Sequence, residues 1–189
     1  EPMNSYPRLV EVVDELVPLA HVNLAFEACP AFDPPGREGL ACITNRLLCR
    51  GTTQLDYPTL CDRIESLGTE LLTSTQTSLV TLGGTVLSRN LHTFLQLLSD
   101  IISDPALDTD ELERVRRELL AEHGLLLDND SHLARHWLRR HMFGDSPRGH
   151  APIGRKSAVK AITMDDVHEW HHTNYVRQRL VIGLSGAVN

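Results

Sequence analysis

No run of apolar residues in this chain approaches the ~20 needed to cross a bilayer as a helix, which excludes a helical membrane span. Nor is there a broad basic face. Against 18 Lys and Arg stand 25 Asp and Glu, a formal net charge of -7. That balance argues against a nucleic-acid binder, whose affinity comes from cations facing phosphates. Cysteine is scarce, four in 189 residues, and Cys29, Cys42, Cys49 and Cys61 contain no C-x-x-C pair. Cys42 and Cys49 sit seven apart on one apparent helix, a spacing that suits neither a disulfide nor a zinc knuckle. The four read as buried free thiols of a reducing compartment. No short internal repeat and no low-complexity tract occurs. No signal peptide is visible, but the chain opens on Glu1 rather than methionine, so a missing leader excludes little. Cytoplasm and periplasm both stay open as compartments.

What is present is the composition of an ordinary globular protein: 41% hydrophobic and 23% charged residues, in a length that makes one domain or one of a matched set. One local departure from the acidic balance is "RHWLRRHMF", with three arginines on a single helix, a charge run whose bland reading is a solvated face.

The apolar patterning gives the element order. "RLVEVVDELVPLAHVNLAFEACP" reads as two strands, Arg8 to Leu16 and His21 to Ala28, paired as a hairpin about the turn at Pro18. "AFDPPGREG" is a loop. A helix follows from about Glu38 to Arg50, closed by Gly51. Another runs from Tyr57 to Leu67, with Asp56 as N-cap, Pro58 in the first turn and a stop at Gly68. "TELLTSTQTSLVTLGGTVL" predicts a second hairpin. Three helices come next: Asn90 to Ser103 (apolar face Leu91, Phe94, Leu95, Leu98, Ile102), Thr109 to Leu127 (Leu112, Val115, Leu119, Leu126) and Ser131 to Met142 (Leu133, Trp137, Leu138, Met142). A polar loop leads to a helix from Thr163 to Asn174, opened by the capping box "TMDD". "RLVIGLS" is a final strand. Strands and helices do not alternate strictly, so the fold class is α+β: an antiparallel sheet with helices layered on one face.

Two patterns carry metal chemistry on their face. His168-Glu169-Trp170-His171-His172 reads as H-E-x-x-H, which on a helix sets two imidazoles one turn apart for zinc with a glutamate base. Here Val167, Trp170 and His171 would face the core, leaving His168 and His172 on a flank without an obvious third ligand. The competing reading is partly exposed surface histidine. His132 and His136, also four apart, share a helix crowded with arginines and read the same way.

The stretches "FDPPGREGLA", "LLCRGT", "IESLGTELLTST", "ISDPALDTDELERVRRELLAE" with "LRRHMFGDSP", and "ITMDDVHEWHHTNYVRQRLVIGLSG" follow one another in an order that resembles one domain of the pitrilysin/insulinase-type peptidases, the inverted zincins of family M16. The resemblance implies a single domain over 1–189 of the LuxS/metallohydrolase-like type, belonging to a larger chain with further similar domains. Active members carry H-x-x-E-H on the first helix and a glutamate ligand some seventy residues on. The matching positions are Cys42-Ile43-Thr44-Asn45-Arg46, with Glu122 near the third-ligand place. A guanidinium has no lone pair for a metal and Asn45 cannot take a proton from water. Glu122 would instead pair with Arg46. The resemblance therefore implies a domain that is no enzyme by itself. It would bind no cofactor, zinc residing in a catalytic M16 partner on the same or another chain, and it would help enclose a peptide substrate. The peptide would lie on an edge strand, placed at Thr69, Leu71, Thr73 and Thr75. Two alternatives stand beside it: a structural scaffold like the core subunits of a respiratory complex, and a self-sufficient zinc peptidase using His168, Glu169 and His172.

Overall fold

A computed structural model describes residues 7–127, 129–144, 146, 149 and 151–188, without the side chains of residues 126, 127 and 132. The expected roles of the Leu126 and His132 side chains therefore lie outside the described residues.

Five strands, β1 (Arg8–Val13), β2 (Leu19–Phe26), β3 (Leu72–Thr75), β4 (Val80–Leu87) and β5 (Leu180–Gly186), form one sheet in the order β1-β5-β2-β4-β3. Seven helices accompany it among the described residues: α1 (Leu40–Leu48), α2 (Tyr57–Ser66), α3 (Leu91–Ser103), α4 (Thr109–Leu127), α5 (Asp130–Phe143), α6 (Lys156–Ala161) and α7 (Met164–Asn174). None of these is long and apolar enough to cross a membrane. β2 shows the one-sided layering. Ala20, Val22, Leu24 and Phe26 are buried under the helices, while His21 and Asn23 between them are exposed.

The α+β class holds, but the sheet is mixed rather than antiparallel. β1 runs parallel to β5, Arg8 opposite Val181 through Val13 opposite Gly186, whereas β2–β5, β2–β4 and β3–β4 are antiparallel. The expected first hairpin is split, because β5 inserts between β1 and β2. The connector of residues 14–18 need only reach over one strand, about 10 Å for two strand spacings. The parallel partner arrives after nearly the whole chain, the long crossover such a pairing requires.

Three further expectations shift. α3 buries Leu91, Phe94, Leu97, Leu98 and Ile101, while Leu95 and Ile102 lie on the flank of the core. Its apolar residues cover too much of the circumference for spacing alone to pick the centre of the buried face. The expected apolar face of α5 stays outside: Trp137, Leu138 and Met142 are 62%, 59% and 64% exposed. The polar loop before α7 contains α6, whose Ala158 and Val159 are buried. Arg116 of α4 donates to the carbonyls of Val159 and of Ile162, the latter at 2.7 Å, satisfying the end of that helix. Six residues are too few for periodicity to show. The caps fall as read: Asp56 accepts from Thr59 N–H at 3.1 Å, and Thr163 and Asp166 close a full capping box on α7.

Candidate functional site

The entry to α1 fixes everything that follows on it. Asp33 accepts the N–H groups of Gly39 at 2.7 Å and Ala41 at 2.9 Å, so a carboxylate outside the helix satisfies donors at its start. Gly39 has φ 104°, and a Cβ there would stand 2.8 Å from the Ile153 carbonyl oxygen. Glycine at this position lets the loop before α6 press against the helix start. This loop supplies Ile153 to the site.

One face of α1 carries Cys42, Asn45 and Arg46, and Arg50 follows in the turn just past its end. Arg46 forks onto Glu122 of α4, Nη1 to Oε1 at 2.6 Å and Nη2 to Oε2 at 2.9 Å. One turn further, Arg50 Nη2 contacts both oxygens of Glu118 at 2.7 and 2.6 Å and stacks 4.7 Å from the Tyr57 ring centroid. Arginines four apart, one on α1 and one just past its end, thus meet glutamates four apart on α4 in reverse order, each through charge-assisted contacts. Asn45 is 1% exposed. Its Nδ2 donates to Ser74 O and Thr75 Oγ1, both at 3.2 Å, tying α1 to β3. The Cys42 thiol is pushed up by burial, against the pull of the nearby Arg46 cation and a Thr75 contact, and so stays protonated. Glu122 in turn raises the Arg46 guanidinium further above its ordinary value.

Cys42, Arg46 and Arg50, with Tyr57 and Glu118, border a cleft of about 360 Å³, whose other wall is β3 and the residue preceding it: Leu71, Thr73 and Thr75, alternate positions sharing one face. β3 is an edge of the sheet. Of the four positions read as the peptide-binding edge, Thr73 and Thr75 lie in the strand and Leu71 just precedes it. Thr69 is outside it and does not border the cleft.

The residues present do not fit zinc. Glu122 has both oxygens occupied by a cation that repels a second one, and Cys42 is held neutral when a ligand must be a thiolate. Asn45 offers an amide already spent on β3 where hydrolysis needs a base. The H-E-x-x-H of α7 is not assembled either. His168, Glu169 and His172 are exposed, and no group of three or more metal-capable side chains comes together among the described residues. His171 points the other way, its Nε2–H donating to the Ile102 carbonyl at 2.8 Å and its ring stacked on Tyr175. His136 is exposed beside Trp137.

Sequence reasoning named Cys42, Asn45, Arg46 and Glu122, which the structure brings together. It missed Arg50, Glu118 and Tyr57, although the spacing of four shared by Arg46/Arg50 and Glu118/Glu122 was on the page as a signal.

The sequence profile of the insulinase family, peptidase family M16, matches residues 10–153. Over 172 residues the chain is 25% identical to the mitochondrial-processing peptidase subunit beta of Dictyostelium discoideum, covering 90% of this chain and 37% of that protein. It is 24% identical over 176 residues to a Helicobacter pylori protein named non-peptidase homolog YmxG, covering 92% and 40%. In three dimensions it resembles a crystal structure described as a peptidase M16 inactive domain from Pseudomonas fluorescens, with a TM-score of 0.92 at 23% identity over 98% of this chain and 45% of that one. The chain spans less than half the length of each of these relatives.

Proposed function

Because this chain belongs to the insulinase family of peptidases, family M16, we propose that it is a non-catalytic domain of that family, one that closes part of a peptide chamber and positions the peptide for an active M16 partner. The observation that carries this reading is the forked Arg46–Glu122 bridge. On the family's pattern, Cys42, Asn45 and Arg46 occupy the places of the first histidine, the glutamate base and the second histidine, and Glu122 falls near that of the third ligand. The bridge fills this place with a cation and its counter-ion, so neither Lewis acid nor general base operates there. The cleft along the β3 edge supports the binding half of the proposal. An edge strand presents a row of unpaired backbone groups that an extended peptide can pair with, while alternate side chains enter pockets beside it. The names of two relatives, one a non-peptidase homolog and one an inactive domain, are in keeping with it.

The test is to purify the protein with its binding partners from its native source and to assay peptide cleavage by the recovered complex. Recovery of a zinc-bearing M16 peptidase whose cleavage is stimulated by this protein is the expected result. Cleavage unchanged by its removal would contradict the positioning role and favour a scaffold.

A further inference from the structure

A second cleft, of about 600 Å³, lies between α4, α5 and the loop leading into α6. Its size is that of a small-ligand pocket. Leu133, Trp137 and Ile153 give it an apolar lining, and Arg135, Arg139 and Lys156 stand around it. Among the described residues no aspartate or glutamate borders the cleft, in a chain whose net charge is -7. Two other cations border it and are engaged: Arg155 donates to Glu38 Oε1 at 2.5 Å, and Arg140 has interactions of its own. Arg135, Arg139 and Lys156 form no ion pair among the described residues. His123 also lines the cleft. Its Nε2 is buried without a hydrogen-bond partner among the described residues. The nearest carboxylate along α4, Glu122, is already bound to Arg46.

The arginine run of α5, which the proposed function leaves unused, is therefore not simply a solvated face. It forms one wall of an open cationic cleft. This cleft also adjoins the one along β3, because Thr75 and Ile153 border both. An extended chain paired with β3 and continuing past Thr75 arrives at the arginines. A carboxylate there would meet forked donors over an apolar floor, where charge-assisted hydrogen bonds are strong.

We infer that the α4–α5 cleft recognises an acidic side chain, glutamate or aspartate, of the peptide held on β3, just beyond the segment paired with that strand. The inference rests on the peptide-binding reading above and adds to it the charge class of the substrate.

The test measures fluorescence anisotropy of dye-labelled peptides with the full-length protein. One peptide alternates valine and threonine and ends in glutamate, and its control carries glutamine in place of that glutamate. The expected result is roughly tenfold tighter binding of the glutamate peptide, the scale of one charge-assisted contact, with the preference shrinking at high salt. In the double variant Arg135→Ala, Arg139→Ala, the glutamate peptide should fall to the affinity of the glutamine peptide, which itself stays unchanged and shows that the fold is intact. Equal binding of both peptides by the parent protein would overturn the acidic preference while leaving peptide binding at β3 standing. A glutamate preference that survives in the double variant would place acid recognition elsewhere and overturn the assignment. Binding of neither peptide would overturn both readings together.

Discussion

At the scale of single residues, Arg46 decides the chemistry of the site. Its bridge to Glu122 is bidentate but only half-sheltered, with 27% and 41% of the two side chains exposed. Arg46→Ala should therefore cost about 1 kcal/mol, the upper end for a pair near the surface, read as a shift of the urea midpoint at constant slope. Replacing Cys42 and Arg46 together by histidine would release Glu122 and set two imidazoles one turn apart. The variant is expected to bind zinc measurably in a chelator competition where the parent does not. A double-histidine variant with no gain in zinc affinity would mean that Glu122 is not placed as a third ligand. His171 gives a separate prediction. Burial holds its imidazole below the ordinary value of 6.5, with exposed His168 and His172 adding to the effect against the pull of the Ile102 carbonyl. The unfolded imidazole takes up its proton at higher pH than the folded one, so its contribution is intact above about pH 6.5 and is lost as pH falls toward the lower folded value. His171→Gln should flatten the fall in melting temperature across that window. Asp166 acts in a different one. Burial raises it, but the Thr163 N–H and hydroxyl and the Arg37 guanidinium outweigh this and hold it below its usual range, so its support fails only below about pH 4.

At the scale of elements, the parts that sequence shows plainly are those set by local chemistry. Asp56, Gly68 and the Thr163/Asp166 box mark helix ends through hydrogen bonds made within four residues, and the structure has them where the residues ask for them. The Arg46–Glu122 pair was legible through the family's pattern, which sets these two positions in one site, where their opposite charges imply a bridge. Pairing between distant elements was not legible. Nothing in "RLVEVV" says that its partner is β5 rather than β2, and nothing in "LHTFLQLLSDIIS" selects Leu97 over Leu95 as core, because both decisions belong to the far side of the contact. The 600 Å³ cleft was invisible for the same reason, its walls coming from α4, α5, the loop before α6 and the distant Thr75. Gly39 tests how α1 is seated: alanine there would be strained at φ 104° and would press on Ile153 and Val159. Gly39→Ala is expected to cost about 2 kcal/mol, visible in thermal melts, and to weaken peptide binding if Ile153 moves with it.

At the scale of the whole molecule, the chain leaves much apolar surface open. Leu9, Val10, Val12 and Val13 of β1 are 56%, 45%, 61% and 51% exposed, and Trp137, Leu138 and Met142 form a stripe on α5. Patches of this kind on a globular domain belong to an interface, and this chain spans less than half the length of the relatives reported above. Expressed as these 189 residues alone, it is expected to self-associate and to bind a hydrophobic dye. Trp137→Glu with Met142→Glu should reduce both, as followed by light scattering and dye fluorescence. Unchanged scattering would place the self-association at β1 instead.

The central claim is that the fold persists here without the family's metal chemistry. Elemental analysis of the purified protein, after dialysis against a weak chelator, tests it most directly. The account predicts no retained zinc, with peptide cleavage appearing only when an active M16 partner is added. Near-stoichiometric zinc, lost together with activity in His168→Ala, would contradict it and move the site to the histidines of α7.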